Sequence, residues 1–289
     1  MDLYAEVTEK ILAAMEASTG QWSASWDNQT SLPHNRASGK PYQGINTLIL
    51  WGAALNHGYT SSAWLTYKQA AALGGQVRKG EHGSHCVFYK PTVREVQNDQ
   101  GEKESKKSLI LKSFVVFNEN QIDGLPAVPT VERPQFSPIE QAERILADSH
   151  ATIQHGGASA FYMPSTDTIH LPERERFTGT EAYYSVALHE LTHWTGHTSR
   201  LARDFSGRFG GEAYAFEELI AEIGSAFLCA ELGIVKRTLE NHASYLNSWI
   251  RVLKSDKKAI WTAAAQAAKA HAFIRGLTVN EDQDQQEAA

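Results

Sequence analysis

The residues with the most specific chemistry are His189, Glu190 and His193, which form an HExxH pattern in a segment whose apolar spacing predicts a helix. Side chains four residues apart lie on one face of a helix, so the two imidazoles can bind one metal ion. Glu190 can then act as the general base toward a water activated by that ion. The pattern therefore predicts a metal-dependent hydrolase with Zn²⁺, or another divalent ion, as its cofactor.

A catalytic metal of this kind needs a third protein ligand. The next predicted helix carries Glu218 and Glu222 four residues apart, on one face. We expect Glu218 to be the third ligand and Glu222 to hold a ligand imidazole in place by a hydrogen bond. Glu217, Glu222 and His197 remain open as alternatives for the third ligand, His197 because it follows the HExxH pattern by about one helical turn.

These side chains must be positioned by a mainly helical second half. Apolar spacing predicts four helices in it, over 180–195, 212–232, 238–254 and 257–274. Ser137-Pro-Ile-Glu140 predicts a capped helix start, and β-like runs at 152–154 and 159–171 predict a small sheet. Within the second run, Asp167–Leu171 could be the edge strand that pairs with an extended substrate peptide, although a hairpin in the core is the alternative that we favour.

A second feature is a basic and aromatic segment in the first half. Residues 32–94 contain seven Lys or Arg and one acid, Glu81, although the whole chain has a net charge of −6. In proteins that hold single-stranded nucleic acid, cations bind the phosphates and aromatic faces stack on the bases. The candidate DNA-binding residues are Lys40, Tyr42, Asn46, Trp64, Tyr67, Lys68, Arg78, Lys79 and Lys90. Packing in a core is the alternative for each aromatic residue.

The first half has the pattern of an α+β domain. Helices are predicted over 45–54 and 66–73, and the composition of 85–96 and 109–117 predicts a pair of strands. The charged stretch 98–108 between these strands is predicted to be a mobile hairpin loop. An opening helix is predicted from apolar residues at helical spacing, namely Val7, Ile11, Leu12 and Met15.

The proline distribution divides the chain. Four of the nine prolines fall between Pro126 and Pro138, a density that blocks helix and removes backbone donors. We therefore predict an α+β protein of two domains. The predicted segments are a first α+β domain over 1–125, a proline-rich linker over 126–137, a mainly helical domain with a small sheet over 138–278, and a disordered acidic tail over 279–289.

Composition excludes several classes of protein. A content of 42% hydrophobic and 21% charged residues is typical of a globular chain, and no run approaches the roughly 18 apolar residues of a membrane helix. The two cysteines, Cys86 and Cys229, do not form a disulfide framework, and the first residues lack the basic region of a signal peptide. We expect a cytoplasmic protein with no membrane partner.

Six longer motifs follow one another along the chain. They are Gly39-Lys-Pro-Tyr-Gln-Gly-Ile-Asn46, Trp64-Leu-Thr-Tyr-Lys-Gln-Ala70, Gly74-Gly-Gln-Val-Arg-Lys-Gly80, Phe117-Asn-Glu-Asn-Gln-Ile-Asp-Gly-Leu-Pro126, His189-Glu-Leu-Thr-His-Trp-Thr-Gly-His197 and Glu217-Glu-Leu-Ile-Ala-Glu222. Together they resemble the plasmid antirestriction proteins of the ArdC family over nearly the whole chain. The resemblance implies an N-terminal domain that binds single-stranded DNA and a C-terminal zincin-like metallopeptidase domain. It also implies metal ligands at His189, His193 and an acid of the Glu217–Glu222 helix, with Glu190 catalytic.

The resemblance implies that the protein protects incoming conjugative DNA from the recipient's restriction enzymes. Its expected partners are single-stranded DNA and an unidentified protein substrate. Two other functions fit the residues: a DNA-dependent protease that removes proteins attached to DNA, similar to the Spartan group, and a DNA-binding protein whose metal site is purely structural. Replacing Glu190 by glutamine separates these functions, because the metal should remain while the proton acceptor is lost.

Overall fold

The computed structural model describes residues 3–17, 31–97, 103–127, 137–205, 211–234 and 242–287. The chain divides into two compact units. The larger unit contains Met1–Leu32, Gln43–Gly52 and Thr130–Ala289, and the smaller unit contains Pro33–Tyr42 and Ala53–Pro129. The larger unit thus includes the first helix, α1 (Leu3–Ala17), and the start of the second, α2 (Ile45–His57).

Helix α1 and the start of α2 are held by the second half of the sequence. The Thr8 hydroxyl donates a hydrogen bond to the backbone oxygen of Lys257 (2.8 Å), and the ring of Trp51 lies 5.7 Å from that of Phe227. The predicted opening helix is therefore present, but its partners lie far along the chain. The predicted first domain over 1–125 is not one compact unit, because its first helices pack elsewhere.

The smaller unit is built around a four-stranded sheet of order β1-β2-β5-β4. Its strands are β1 (His34–Asn35), β2 (Ala63–Leu65), β4 (Ser84–Gln97) and β5 (Lys103–Asn118). The β1–β2 pairing is parallel and the other two pairings are antiparallel. The unit also contains helix α3 (Tyr67–Ala72) and a two-stranded sheet of β3 (Gln76–Val77) and β6 (Ile122–Asp123).

Local sequence explains the start of α3 and the tight connection that follows it. The Thr66 hydroxyl accepts a hydrogen bond from the Gln69 backbone, and the Gln69 side chain accepts one from the Thr66 backbone. A Cβ at Gly75 would lie 2.6 Å from Leu125, so a larger residue there would force a shift. The core beneath consists of Leu65, Ala70, Val77 and Ile122.

The β4–β5 hairpin is longer than the sequence predicts. Pairing continues to Gln97 opposite Lys103, so residues 103–108 belong to β5 and not to a loop. Residues 98–102 lie outside the described part of the chain. The polar composition of 103–108 does not require a loop. Pairing in a two-stranded ribbon depends on backbone hydrogen bonds, and it tolerates polar side chains on both faces.

The second half of the larger unit combines helices with a small sheet. The helices that the structure describes there are α4 (Pro138–Asp148), α5 (Thr180–Trp194), α6 (Glu212–Leu232), α7 (His242–Ser255) and α8 (Ala259–Glu287). The strands β7 (Thr152–His155), β8 (Phe161–Met163) and β9 (Thr168–Leu171) form a sheet of order β7-β9-β8. The predicted α+β class, with a mainly helical second half, is confirmed.

The strand order corrects the proposed edge strand. β9, which carries most of Asp167–Leu171, is the central strand, parallel to β7 and antiparallel to β8. Ile169 and Leu171 are fully buried, as expected for the hairpin in the core that we favoured. In this hairpin the edge strand is therefore β8, which precedes the turn, and not β9, which follows it.

The ends of the predicted elements shift in two further places. Helix α8 continues to Glu287, so most of the predicted disordered tail over 279–289 is helical; no glycine or proline follows Gly276 to interrupt it. The linker predicted over 126–137 falls mostly on residues outside the described part.

Within the part of the chain that the structure describes, no helix is long and apolar enough to cross a membrane.

Helices α5 and α6 pack closely against each other. A Cβ at Gly224 on α6 would lie 2.6 Å from the side-chain methyl of Thr192 on α5, so the absence of a side chain permits this approach. Helix α5 is buried on all sides from Ala182 to Trp194. The close contact brings the polar residues of the two buried faces within reach of each other.

Candidate metal centre

The HExxH residues of α5 lie in the protein interior. The exposed fractions of His189, Glu190 and His193 are 3%, 5% and 7%. The centroids of the two imidazole rings are 4.9 Å apart, and the ring planes are inclined by 78°. Buried polar groups of this kind need partners, and α6 supplies them.

Glu218 on α6 completes a group of three possible metal ligands. Its Oε2 lies 3.5 Å from Nε2 of His189, and its Oε1 lies 3.5 Å from Nε2 of His193. One ligand atom from each residue lies within 4.8 Å of the others. Ligands at about 2.1 Å from a tetrahedral zinc are about 3.4 Å apart, so the observed spacing fits such an ion. The structure thus brings together the three residues predicted as ligands.

Glu222 lies one helical turn after Glu218 and faces the other nitrogen of His189. Its Oε2 is 3.5 Å from Nδ1, and the Glu222 side chain is fully buried. A carboxylate on this side favours the tautomer with the proton on Nδ1, which leaves Nε2 of His189 as a ligand atom. This is the supporting position that the sequence predicts for Glu222.

Glu217, an alternative for the third ligand, supports His193 instead. Its Oε1 is 3.1 Å from Nδ1 of His193, so each histidine has its own carboxylate. The remaining alternative, His197, lies outside the group, and its Nδ1 is 2.8 Å from the Ser199 hydroxyl. Of the four candidates, Glu218 is the one that faces both Nε2 atoms.

Arg203 holds Glu217 in place, a role that sequence reasoning missed. Its Nε donates to Oε2 of Glu217 (3.0 Å) and its Nη2 donates to Oε1 (2.8 Å). Both side chains are buried. Arg203 lies between two predicted helices in a segment without periodic pattern, so its spacing to Glu217 carried no signal in the sequence.

The same arginine closes the C-terminal end of α5. It donates to the Thr195 hydroxyl (2.8 Å) and to the backbone oxygen of Thr192 (2.7 Å). A cation is favourable at a helix C-terminus. A Cβ at Gly196 would lie 2.8 Å from Nη2 of Arg203, so this glycine makes room for the guanidinium. Arg203 therefore ties the end of α5 to the supporting carboxylate on α6.

The carboxylates give the cluster a strong preference for positive charge. Burial alone lowers the pKa of His193, but Glu218 and Glu217 outweigh this effect and raise the pKa to about 10. Burial raises the pKa of Glu218, yet the two histidines lower it well below its usual range. A site that favours protons on its imidazoles in this way also favours a divalent cation in their place.

Glu190 faces a different environment from that of the ligands. Its pKa is raised, mainly because the carboxyl group is buried. The backbone of Tyr162 on β8 opposes this rise in pKa, so the edge strand lies near this residue. A carboxylate with a raised pKa is a stronger base, which is the property required of a general base near neutral pH.

A polar cluster connects the turn after β8 with the end of α5. The Tyr162 hydroxyl donates to Asp167 (2.8 Å), and Nη1 of Arg200 donates to the other oxygen of Asp167 (2.9 Å). The Arg200 guanidinium lies 3.8 Å from the centre of the Trp194 ring. This cluster anchors the strand that borders Glu190.

The structure divides the candidate DNA-binding residues into exposed and buried groups. The exposed cations are Lys40, Lys68, Arg78, Lys79 and Lys90. Tyr67 is 52% exposed, whereas Trp64 is 1% exposed and packs in a core. A buried ring cannot stack on a base, so the predicted stacking role of Trp64 is wrong.

Two further candidates are less exposed than the cations. Tyr42 is half-buried, and its hydroxyl accepts a hydrogen bond from the Asn35 side chain (3.4 Å). Asn46 lies in the larger unit, near the start of α2. Three of the other candidates come together in the smaller unit, where Tyr67, Arg78 and Lys79 line one cavity of about 620 Å³.

Comparison with known proteins matches each half of the sequence to a different family. Residues 140–266 match the family of zincin-like metallopeptidases, and residues 1–117 match the N-terminal domain of the anti-restriction factor ArdC. The first match contains His189, His193 and Glu218. The second contains all the candidate DNA-binding residues.

Relatives with similar sequences include one of similar length and two that are much longer. The uncharacterized protein y4eC of Sinorhizobium fredii (strain NBRC 101917 / NGR234) is 43% identical over 278 residues, which is 92% of this chain and 89% of that protein. Two DNA primases TraC of Escherichia coli are 41% identical over 93% and 97% of this chain. The match spans only 19% and 28% of the primases.

Solved structures also resemble this chain, and the similarity extends over almost the full length of each chain compared. The metal-free crystal structure of the antirestriction protein ArdC from plasmid R388 superimposes with a TM-score of 0.82 at 41% identity, over 97% of this chain and 99% of that one. The Mn(II)-bound structure of that protein gives a TM-score of 0.77 at 40% identity, with the same coverage. The family resemblance seen in the sequence motifs is confirmed, and the chain belongs to the ArdC family of antirestriction proteins, with a zincin-like metallopeptidase domain in its second half.

Proposed function

We propose that the protein binds single-stranded DNA with its smaller unit and hydrolyses a protein substrate at a zinc site formed by α5 and α6. Together these activities protect conjugative DNA from host restriction. The enzymatic part rests on the group formed by the buried His189 and His193 and the partly buried Glu218, with Glu190 buried beside it. Two imidazoles and one carboxylate are a donor set that zinc takes in catalytic sites, and the Mn(II)-bound relative supports a divalent ion.

The roles of the site residues follow from their positions. A divalent ion held by His189, His193 and Glu218 would lower the pKa of a bound water and polarise the carbonyl of a substrate peptide bond. Glu190 would accept a proton from that water as its oxygen attacks the carbonyl carbon, and would return the proton to the amide nitrogen as the C–N bond breaks. Glu217 accepts a hydrogen bond from Nδ1 of His193, and Glu222 faces Nδ1 of His189, so both carboxylates favour the proton on Nδ1 and leave the Nε2 atoms free to bind the ion.

The open edge of the small sheet is consistent with a substrate that is an extended polypeptide. Strand β8 pairs with β9 on one side and has no second strand partner among the described residues. A peptide that adds to this edge would form backbone hydrogen bonds with β8. Because the Tyr162 backbone on β8 lies near Glu190, such a peptide would pass near the general base.

The exposed residues of the smaller unit support binding to a polyanion. Lys40, Lys68, Lys79 and Lys90 are exposed, and Tyr67 offers an aromatic face. Cations of this kind neutralise phosphates and release counterions, so the affinity should fall as the salt concentration rises. Single strands are preferred over duplex because a base must be unstacked to reach an aromatic side chain.

The state of the cysteines supports a cytoplasmic location, where incoming DNA meets restriction enzymes. Cys86 and Cys229 are both buried and not bonded to each other. Burial raises the pKa of the Cys86 thiol to about 12, which keeps it protonated and unreactive. Reduced, buried thiols are typical of a reducing compartment.

The variant Glu190→Gln tests the proposed function. It should retain one bound metal ion and unchanged affinity for a single-stranded oligonucleotide, and it should lose cleavage of unfolded protein substrates. The measurements are metal content, fluorescence anisotropy and gel analysis of cleavage, each with and without single-stranded DNA. Transfer of a plasmid into a restricting recipient then reports protection.

The outcomes separate the candidate functions. Loss of protection with unchanged DNA affinity would show that hydrolysis belongs to the antirestriction mechanism. Cleavage that is confined to proteins attached to DNA would favour the DNA-dependent protease. Unchanged hydrolysis by the variant would contradict the role of Glu190, and absence of hydrolysis in the wild type would leave a structural metal site.

A further inference from the structure

We infer that the cavity beside Tyr67 is a subsite for one nucleotide of a single DNA strand, in which Tyr67 stacks on the base and Lys79 contacts the phosphate. The inference rests on the proposed DNA binding and names the place in the smaller unit where a base is held. It also assigns different roles to the adjacent cations Arg78 and Lys79, which the sequence does not distinguish.

The cavity has the size and the lining of a small-ligand site. Its volume of about 620 Å³ lies within the range of roughly 300–1,000 Å³ typical of such sites. It is lined by residues of α3, β3, β5 and β6 and of the loop after β3, including Tyr67, Gln76, Lys79, Phe117 and Asp123. Aromatic, amide and charged groups therefore converge on one space that a base with its phosphate can fill.

The Tyr67 ring is exposed and yet fixed in orientation. Its edge-on contact with Phe117 has a centroid distance of 6.5 Å and an interplanar angle of 69°. Its hydroxyl accepts a hydrogen bond from Nε2 of Gln76 (3.2 Å), and the same nitrogen donates to the Val77 backbone (3.0 Å). A ring that is already oriented loses little freedom when a base stacks on it.

The neighbouring Arg78 is engaged by groups of its own unit. Its Nη2 donates to Glu81 (2.7 Å) and to the backbone oxygen of Asn120 (2.7 Å), and its Nη1 lies 3.4 Å from Asp123. Lys79 is exposed and makes no hydrogen bond or ion pair within the described ranges. Arg78 thus holds the loop to the strand region behind it, and Lys79 remains for a phosphate.

The backbone next to Lys79 is open to a ligand. Gly80 has a φ of +89°, a conformation that side chains other than glycine rarely adopt, and a Cβ there would meet nothing within 4 Å. The space on this side of the turn is therefore not filled by protein. A phosphate can approach the Lys79 ammonium and the turn together.

Phe88 provides a matched control in the same unit. It is 44% exposed on β4 and lies opposite Lys112 in the register with β5, so it also combines an aromatic face with a cation. Its ring contacts Phe114 at 6.0 Å. It does not line the cavity. If any exposed aromatic residue beside a cation were sufficient, Phe88 would contribute as much as Tyr67.

The test measures binding of a labelled single-stranded oligonucleotide to the full chain by fluorescence anisotropy at several salt concentrations. We expect Tyr67→Leu to weaken binding by about 5- to 150-fold, the range for loss of one stacked base. Tyr67→Phe should bind like the wild type, because the ring remains, and Phe88→Leu should also be unchanged. Lys79→Gln should reduce the slope of log affinity against log salt by about 0.7, the value for one phosphate of a single strand.

The outcomes distinguish this inference from the proposed function. Equal losses for Tyr67→Leu and Phe88→Leu, or wild-type binding by Tyr67→Leu, would overturn the subsite and leave DNA binding intact. Absence of single-strand binding by the wild type would contradict both. Displacement of the oligonucleotide by dAMP at similar concentrations would overturn the assignment to a strand, because the cavity would then hold free nucleotides. Thermal unfolding of Tyr67→Leu close to that of Tyr67→Phe confirms that the fold is retained.

Discussion

The metal centre and the DNA-binding residues represent opposite ways of using charge. In the larger unit, two histidines and two glutamates are buried beside the partly buried Glu218, and each imidazole nitrogen faces a carboxylate. In the smaller unit, the candidate DNA-binding cations are exposed, and one of them, Arg78, forms hydrogen bonds to Glu81 and to the Asn120 backbone of its own unit. A buried charge that loses its partner is costly, whereas an exposed charge is screened by water and salt. Removal of a single charge should therefore have a large effect at the first site and a small, additive effect at the second.

The largest effect is expected from removal of a ligand. His193→Ala should abolish stoichiometric binding of zinc, because two donors remain where a catalytic site needs three. Its affinity for single-stranded DNA should stay at the wild-type value, since that surface belongs to the other unit. Elemental analysis after dialysis and fluorescence anisotropy measure the two quantities. A variant that retains one tightly bound ion would show that His193 is not required for metal binding.

The next largest effect is expected from the buried arginine. Arg203→Met leaves the Glu217 carboxylate buried without its cation, and we expect the free energy of unfolding to fall by about 3–5 kcal/mol. Denaturant unfolding of the metal-free protein measures this loss. The control is Arg200→Met, whose partner Asp167 is more exposed. Combining Arg203→Met with Glu217→Leu should recover part of the loss, and equal losses for the two arginines would contradict the importance of burial.

A smaller effect is expected from the supporting carboxylate of His189. Glu222→Gln keeps the shape of the side chain but weakens the interaction that orients the imidazole, and metal affinity should fall about 10- to 100-fold. Competition with a metal chelator measures the affinity. Glu231→Gln on the same helix is the matched control, because its partner His271 is not among the ligand residues. Equal affinity in Glu222→Gln and the wild type would remove Glu222 from the site.

A more modest effect is expected from pH at the cluster that anchors β8. The hydrogen bond from Arg200 holds the pKa of Asp167 below its usual value, so this carboxylate stabilises the fold when it is ionised. Its contribution is present above about pH 4, the ordinary value for aspartate, and is lost as the pH falls through the lowered folded pKa. The difference in unfolding free energy between the wild type and Asp167→Asn should therefore narrow on acidification. A difference that is independent of pH would contradict the ion pair.

The smallest effect is expected from a single exposed cation. Lys68→Gln should weaken single-strand binding only slightly and reduce the salt slope by about 0.7. Its thermal stability should be unchanged, because the Lys68 side chain is exposed and makes no ion pair in the described part of the chain. Anisotropy at several salt concentrations measures the slope. A loss as large as that expected for Tyr67→Leu would show that the DNA site is concentrated and not diffuse.

The ligand group could be predicted from the sequence because it depends on local periodicity. The spacing of His189 to His193, and of Glu218 to Glu222, places each pair on one helix face whatever the rest of the fold. The pairing of Glu217 with Arg203 depends on how the end of α5 meets α6, and no periodic pattern reports that contact. Glu218 could therefore be ranked first as the expected third ligand, whereas the arginine that holds Glu217 could not be predicted.

The smaller unit was harder to predict because its arrangement also depends on contacts between residues that are far apart in the sequence. Trp64 lies in a basic and aromatic segment, yet its burial is decided by the pairing of β2 with β5, which joins residues far apart in the sequence. The cavity at Tyr67 likewise needs β3 to pair with β6. Composition therefore identified the segment that carries the charge, and only the tertiary structure separates its core residues from its exposed ones.

The most direct test of the account is a crystal structure of the protein grown with zinc, with anomalous diffraction recorded on both sides of the zinc absorption edge. We predict one strong anomalous peak within about 2.2 Å of Nε2 of His189, Nε2 of His193 and an oxygen of Glu218, with Glu190 close by but not bound. A peak coordinated by Glu217 or Glu222 in place of Glu218, or no peak between α5 and α6, would contradict the account.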